Sequence, residues 1–299
     1  MKLQVKSLLN SARKLWLAPV LKNQQEILTR LRASQESQVL LSLKYKELLS
    51  QKNVLPAFSD IEFRSFSQNG EDGILLYIFS LIGTIGKKAV EICASDGIEC
   101  NAANLIINHG WTGLLFDGNE ELIGRGRQFY AQCASTWIWP PSLVSAWVTA
   151  ENVNQLIINN GFQGEVDLLS LDMDGVDYWI WKAIECISPR VVVVEYQSMW
   201  GSDRAVTVPY RPDFAGEFNE YHLNYGGASL PAFVKLGREK GYRLVGCQRY
   251  EFNAFFMREG VGCDIFPEID AAQCLKHAKT KHAIEHRLPQ VIDRMWVEV

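Results

Sequence analysis

From residue 57 onward, apolar stretches of strand length alternate with stretches of helix length. Strands are predicted at 88–93, 113–117, 143–148, 166–172, 190–195, 242–247 and 252–258, and helices at about 71–82, 99–109, 120–132, 151–160, 177–186 and 229–240. This alternation is typical of a parallel sheet that helices cover on both faces. The last two strands lie too close together for a helical crossover, so we expect them to pair antiparallel. The pattern predicts a mostly parallel, seven-stranded α/β fold.

The first 56 residues have a different pattern and are predicted to form a helical extension of a domain that covers 57–299. They are polar and rich in Leu, Gln, Lys and Ser, and apolar residues recur at helical spacing between Gln24 and Lys52. Three interpretations stay open: packing on the domain, homo-oligomerisation, or peripheral membrane contact of the basic stretch from Lys6 to Lys22.

Composition narrows the class of protein. The net charge of -4 argues against a nucleic-acid binder, which would carry a basic stripe. Seven cysteines without a C-x-x-C pair are typical of reduced thiols in the cytoplasm. No apolar segment approaches the roughly 18 residues of a transmembrane span. We therefore expect a cytoplasmic protein without a transmembrane segment.

Residues 88–119 resemble half of a nucleotide-binding fold: a strand, a small acidic turn, a helix, and a strand that ends on Asp117. Ligands of open α/β sheets bind beyond the carboxyl ends of the strands, and an acid about twenty residues after the turn accepts hydrogen bonds from ribose. Of the three glycines in a dinucleotide fingerprint, Cys93 and Ser95 replace two and only Gly97 is kept. This disfavours a pyrophosphate-containing ligand.

The acids Glu91, Asp96 and Glu99 suit a cationic ligand instead. S-adenosylmethionine carries a sulfonium and no phosphate, so it tolerates a turn that has fewer glycines and more acids. The unit therefore favours an adenosyl cofactor.

A second acidic motif follows the strand 166–172, where Asp172 and Asp174 stand on alternate positions and Asp177 opens the next helix. Glu195 ends the neighbouring strand in the same way. Because close carboxylates repel, Asp172, Asp174 and Glu195 form a candidate site for Mg²⁺ or another divalent cation, which prefers oxygen ligands. Asp177 could equally cap its helix.

The same motif, LLSLDMDGV, also resembles the first motif of haloacid-dehalogenase-type phosphatases. On that interpretation, Asp172 is a nucleophile and Asp174 an acid/base in a Mg²⁺-dependent phosphatase. The unit 88–119 would then have no explanation. A non-catalytic binding module is the third alternative.

Several segments taken together resemble the FkbM-type branch of class I S-adenosylmethionine-dependent methyltransferases. They include SQNGEDGIL at 67–75, VEICASDGIECNAANL at 90–105, GLLFDGN at 113–119, DLLSLDMDGVDYWIWKAI at 167–184 and RVVVVEYQ at 190–197. The resemblance implies the Rossmann-like class I methyltransferase sheet, and O-methylation of a sugar or other glycan-pathway molecule.

The resemblance also implies roles for individual residues. Gln68, Glu71 and Asp72 would cover the cofactor. Glu91, Asp96 and Gly97 would line its methionine end, Asp117 would hold the ribose, and Asp172 would close the pocket near the methyl group.

Methyl transfer to a hydroxyl requires that a proton be removed as the oxygen attacks. Asp172 and Asp174 could do this with or without a metal ion, and His222 is a second candidate base. His222 lies in a long insertion, about 197–227, which we expect to decide acceptor specificity because it follows the strand that ends at Glu195.

Overall fold

The computed structural model describes residues 35–218 and 223–299. Its helices are α1 (35–50), α2 (Phe58–Ile61), α3 (Glu71–Ile82), α4 (Ala103–His109), α5 (Glu120–Gln132), α6 (Val153–Asn159), α7 (Asp177–Ala183), α8 (Leu230–Glu239), α9 (Ala278–His286) and α10 (Leu288–Val291). Its strands are β1 (Lys88–Ile92), β2 (Thr112–Asp117), β3 (Ser142–Ser145), β4 (Gly164–Leu171), β5 (Ile187–Glu195), β6 (Val206–Thr207), β7 (Glu217–Phe218), β8 (Leu223–Tyr225), β9 (Tyr242–Cys247), β10 (Asn253–Arg258) and β11 (Val297–Glu298).

Seven strands form one sheet in the order β3-β2-β1-β4-β5-β10-β9. Neighbours from β3 to β5 pair in parallel, whereas β10 runs antiparallel to both β5 and β9. This is the strand order of a class I methyltransferase sheet, so the predicted fold class is confirmed. The strand order reverses direction at β1, which has β2 on one side and β4 on the other. The carboxyl ends of these strands therefore open onto a common crevice.

Strand β5 shows why the sheet is buried on both faces. Val191, Val192, Val193 and Val194 are all fully buried, and alternate members pack into opposite hydrophobic layers. A run of β-branched residues without polar alternation is what a strand covered on both faces requires. Helix α3 was predicted with its observed bounds, while α4 begins four residues later than the predicted start at 99.

The described part of the N-terminal extension packs on its own chain. Gln38 of α1 is buried, and its amide nitrogen donates to Asn104 Oδ1 at 3.1 Å. Its amide oxygen lies 2.7 Å from His109 Nε2, and Tyr45 packs edge-on against Tyr77 with ring centroids 4.8 Å apart. The division at residue 56 and roles in oligomerisation or at a membrane stay predictions, and the basic stretch lies outside the described residues.

Within the described ranges, no helix combines the length and the apolar character needed to cross a membrane. All seven cysteines lie in these ranges and are free thiols.

The contact between α1 and His109 predicts a pH dependence of stability. Burial, and to a smaller extent Lys87, lowers the pKa of His109 from 6.5 to about 4. The unfolded chain therefore binds a proton first as the pH falls, and stability is lost between about pH 6.5 and 4. Between pH 6.5 and pH 4, we expect the free energy of unfolding of the wild type to fall by up to about 3 kcal/mol more than that of His109→Gln. Urea unfolding at the two pH values measures this difference.

The control is His286→Gln, which removes an exposed histidine of α9. It should lose as much stability as the wild type. Equal losses in the wild type and His109→Gln would contradict the prediction.

Candidate functional site

Two adjoining cavities open at the carboxyl edge of the sheet. The aromatic cavity has a volume of about 720 Å³ and the acidic cavity about 650 Å³. Their shared walls are Cys93, Asp117, Met173, Asp174 and Phe218. The crevice therefore lies where the sequence predicted a ligand, and it has two chemically different halves.

The turn after β1 has a glycine-like backbone although two of its residues carry side chains. Cys93, Ser95 and Gly97 have φ angles of 64°, 55° and 70°, all in the left-handed region. This conformation costs a residue with a side chain about 1 kcal/mol. Gly97 is required, because a Cβ atom there would approach Leu115 Cδ1 to 2.7 Å. The turn thus keeps its shape without the glycines, at the cost of strain beside the cavities.

Asp117 ends β2 and contributes to both cavities. One carboxylate oxygen accepts a hydrogen bond from Ser95 N at 2.9 Å, and the other accepts from Asn119 N at 2.8 Å. Each oxygen keeps a second lone pair. The backbone bonds orient the carboxylate, so it can accept two further hydrogen bonds from adjacent hydroxyls of a ligand.

The aromatic cavity is built jointly by the connection after β3 and by the insertion 197–227. Trp147 stands 55% exposed in its wall, and its indole nitrogen donates to Pro212 O at 2.7 Å. Tyr210 accepts a hydrogen bond from Ala150 N at 2.9 Å. Further aromatic walls are Phe214 and Phe218. Aromatic side chains and the Asp117 carboxylate in one cavity are the groups that would bind a purine nucleoside.

The acidic cavity contains a cluster of three carboxylates. Asp172, Asp174 and Glu195 place oxygen atoms within 4.8 Å of one another. Among the described residues, none donates a hydrogen bond to these carboxylates. Burial, followed by repulsion from neighbouring acids, raises the pKa of Asp172 to about 8, and burial raises the pKa of Asp174 and Glu195 as well.

Two cations lie behind Glu195 rather than in the cavity wall. Lys279 and Arg287 from the C-terminal segment interact electrostatically with the Glu195 carboxylate. Burial lowers the pKa of Lys279 to about 8. The amine of Lys279 packs over the ring of Phe252, 3.1 Å from its centroid. The cluster therefore faces the cavity without a cation in the described cavity wall.

Asp177 supports the loop that carries the cluster. Its carboxylate is buried and accepts hydrogen bonds from Met173 N at 2.7 Å and Gly175 N at 3.1 Å. These bonds hold Asp174 between them in a left-handed conformation with φ 53°. Both carboxylate oxygens of Asp177 thus accept hydrogen bonds from the backbone of this loop.

Gln68, Glu71 and Glu91 lie in the wall of the acidic cavity. Glu91 is buried and accepts three hydrogen bonds, from Asn101 N at 2.9 Å, Ala102 N at 2.7 Å and Ser170 Oγ at 3.2 Å. It fixes the start of α4 and has little capacity left for a ligand.

Three other predicted residues lie outside the walls of both cavities. Asp72 is buried and accepts three hydrogen bonds from the backbone of 65–67. Asp96 Oδ1 accepts a hydrogen bond from Ile98 N at 3.0 Å, and Gly97 packs against the core. These positions shape the turns that surround the site, and direct ligand contacts by these residues stay predictions. His222 lies outside the described residues.

Trp147 and Asn253 were not predicted from the sequence. Trp147 has no motif around it, and only the fold of the insertion shows that it faces a cavity. Asn253 is the first residue of β10 and stands opposite Glu195 in the β5–β10 register. A polar residue at the start of an otherwise apolar strand was the available signal.

No family model matches this sequence, and no curated protein matches it. Among solved structures, the glycopeptide N-methyltransferase MtfA complexed with sinefungin is 9% identical, with a TM-score of 0.40 over 65% of this chain and 97% of that one. An O-methyltransferase family protein from Burkholderia thailandensis is 12% identical, with a TM-score of 0.37 over 64% of this chain and 60% of that one. The methyltransferase domain of bacterial CtHen1-CN is 14% identical, with a TM-score of 0.37 over 62% and 96%.

The strained turn predicts opposite effects of glycine at two adjacent positions. Ser95→Gly should raise the free energy of unfolding by up to about 1 kcal/mol, because glycine adopts the left-handed region without a steric penalty. Ala94→Gly should lower it by about 1 kcal/mol, because Ala94 is buried and lies outside that region. Urea unfolding of both variants tests this, and a loss of stability in Ser95→Gly would refute the assigned conformation.

Proposed function

We propose that this protein is an S-adenosylmethionine-dependent methyltransferase. One observation carries the proposal: Asp117 joins an aromatic cavity that fits an adenine ring to an acidic cavity that fits a cationic group. A nucleoside whose ribose is held by Asp117 would reach both halves at once. The strand order of the sheet supports the same assignment.

The chain's own residues supply the binding groups. We assign the ribose hydroxyls to Asp117 and the adenine to the face of Trp147. The acids of the second cavity, Glu71 and Asp172 among them, would attract the positively charged methionine end. S-adenosylmethionine would supply an electrophilic methyl group on its sulfonium.

We further propose that the acceptor is a hydroxyl, on a sugar or other glycan-pathway molecule. Forming the new C–O bond breaks the methyl C–S bond, and the hydroxyl proton must pass to a base. Asp172 is our first candidate, because its carboxylate faces the cavity without a hydrogen-bond donor among the described residues. His222 is the second candidate.

A haloacid-dehalogenase-type phosphatase is less well supported. Asp172 follows β4, the fourth strand along the chain, whereas that family usually has the motif near the start of its domain. The described wall of the acidic cavity also includes no lysine to bind a phosphate. A phosphatase would also leave the aromatic cavity without a role. A non-catalytic binding module would share the cavities but would not need the unpaired carboxylates.

The ribose assignment is tested by titrating S-adenosylhomocysteine into Asp117→Asn in a calorimeter. We expect its affinity to fall by about 10- to 100-fold, because hydrogen bonds to a charged acceptor contribute about 1.5–3 kcal/mol. Asp203→Asn removes the same charge from an exposed position of the insertion and should bind like the wild type. Equal affinities in all three proteins would reject the assignment of the ribose to Asp117, and no binding by the wild type would reject the proposed function. Hydrolysis of an aryl phosphate that depends on Asp172 but not on Asp117 would favour the phosphatase.

The adenine assignment predicts that Trp147→Ala lowers the affinity for S-adenosylhomocysteine by about tenfold or more, since stacking of a base on an aromatic ring contributes about 1–3 kcal/mol. The matched control is Trp137→Ala, because Trp137 is 61% exposed and lies outside both cavities. The same calorimetric titration compares the two variants. Equal losses, or none in Trp147→Ala, would place the adenine elsewhere.

A further inference from the structure

The acidic cavity has a charge imbalance that an organic cofactor alone does not resolve. Its described walls carry seven carboxylates and no Lys, Arg or His: Glu71, Glu91, Glu99, Asp117, Asp172, Asp174 and Glu195. Four of these have partners, since Glu71, Glu91 and Asp117 accept hydrogen bonds and Glu99 pairs with Arg64 at 3.1 Å. The three that remain, Asp172, Asp174 and Glu195, accept no hydrogen bond from the described residues. Of these three, Glu195 interacts electrostatically with Lys279 and Arg287, which lie outside the cavity wall.

A buried amide oxygen in the same wall is an independent observation. Asn253 is only 5% exposed, and its amide nitrogen donates to Glu71 Oε1 at 3.0 Å. Its amide oxygen is buried and has no hydrogen-bond partner. A buried acceptor that lacks a donor costs about 1–3 kcal/mol. A bound cation would satisfy this oxygen.

The position of Asn253 places this amide beside the cluster. Asn253 stands directly opposite Glu195 in the β5–β10 register, so the two side chains emerge side by side at the edge of the acidic cavity. Lys279 does not take this place, because its amine lies over the Phe252 ring and donates to Glu251 O at 3.2 Å.

We propose that Asp172, Asp174, Glu195 and the Asn253 amide oxygen bind one divalent cation of the Mg²⁺ or Mn²⁺ type. Three carboxylates and one amide oxygen are the hard ligands that such ions prefer. The ion would complete its shell with water or with oxygens of the acceptor. In the proposed function it would orient an acceptor hydroxyl and favour loss of its proton, and only this last step rests on that function.

The experiment titrates Mn²⁺ into the chelator-treated, full-length protein and follows free Mn²⁺ by electron paramagnetic resonance. We expect one saturable site per chain, from which Mg²⁺ displaces Mn²⁺. The affinity for Mn²⁺ should fall by about tenfold or more in each of three variants, Asp174→Asn, Glu195→Gln and Asn253→Ala. The control Glu99→Gln removes a carboxylate from the same cavity but outside the cluster, and should keep the wild-type affinity.

Absence of a saturable site in the wild type would overturn the proposal, and so would an equal loss in Glu99→Gln. Unchanged Mn²⁺ affinity in Asn253→Ala would remove Asn253 from the ligands. If that variant does not fold, Asp174→Asn keeps the test decisive, because Asp174 is half-buried in a loop. Titration of S-adenosylhomocysteine in the presence of chelator separates the two proposals. If S-adenosylhomocysteine binds but the protein has no saturable Mn²⁺ site, only the metal proposal is rejected. If the protein has a Mn²⁺ site but does not bind S-adenosylhomocysteine, only the proposed function is rejected.

Discussion

The structure depends on one constraint: a carboxylate removed from water must find donors, because burying an unpaired charge is costly. Asp167 illustrates it at the amino end of β4, where its buried carboxylate accepts hydrogen bonds from the backbone of 85–87 and from Arg190 at 3.0 Å. At the carboxyl edge, Glu91 and Asp177 are satisfied by backbone N–H groups in the same way. Each buried acid therefore fixes the loop that supplies its donors.

This constraint distinguishes acids that hold the loops in place from acids that are available to a ligand, although both kinds look alike in the sequence. The carboxylates with backbone donors hold the start of α4, the turn after β1 and the loop after β4 in place. Asp172, Asp174 and Glu195 stand at the same edge without such donors among the described residues, although their pKa values rise with burial. A protein maintains that cost where a ligand or ion compensates it, which is why we place the chemistry there.

Periodicity predicted the fold because buried strands and amphipathic helices are local patterns. Asp117 could be predicted for the same reason, since its distance from the turn is measured along one short segment. Trp147 could not, because it becomes a cavity wall only when Pro212, 65 residues later, accepts its hydrogen bond. The left-handed backbone at Cys93 and Ser95 was indicated only by their place in the glycine fingerprint, because neither residue type favours that region.

The position of the insertion changes how specificity has to be understood. Tyr210 and Phe214 of the insertion line the aromatic cavity, and Phe218 lines both cavities. If the aromatic cavity holds the adenosine, as proposed, the acceptor would enter through the acidic cavity, past Glu99 and Phe252. An anionic acceptor would meet unpaired carboxylates there, whereas a neutral polyol could hydrogen-bond to them or coordinate a cation held by them. Under the proposed function, the electrostatics of the cavity would thus favour a neutral acceptor over an anionic one.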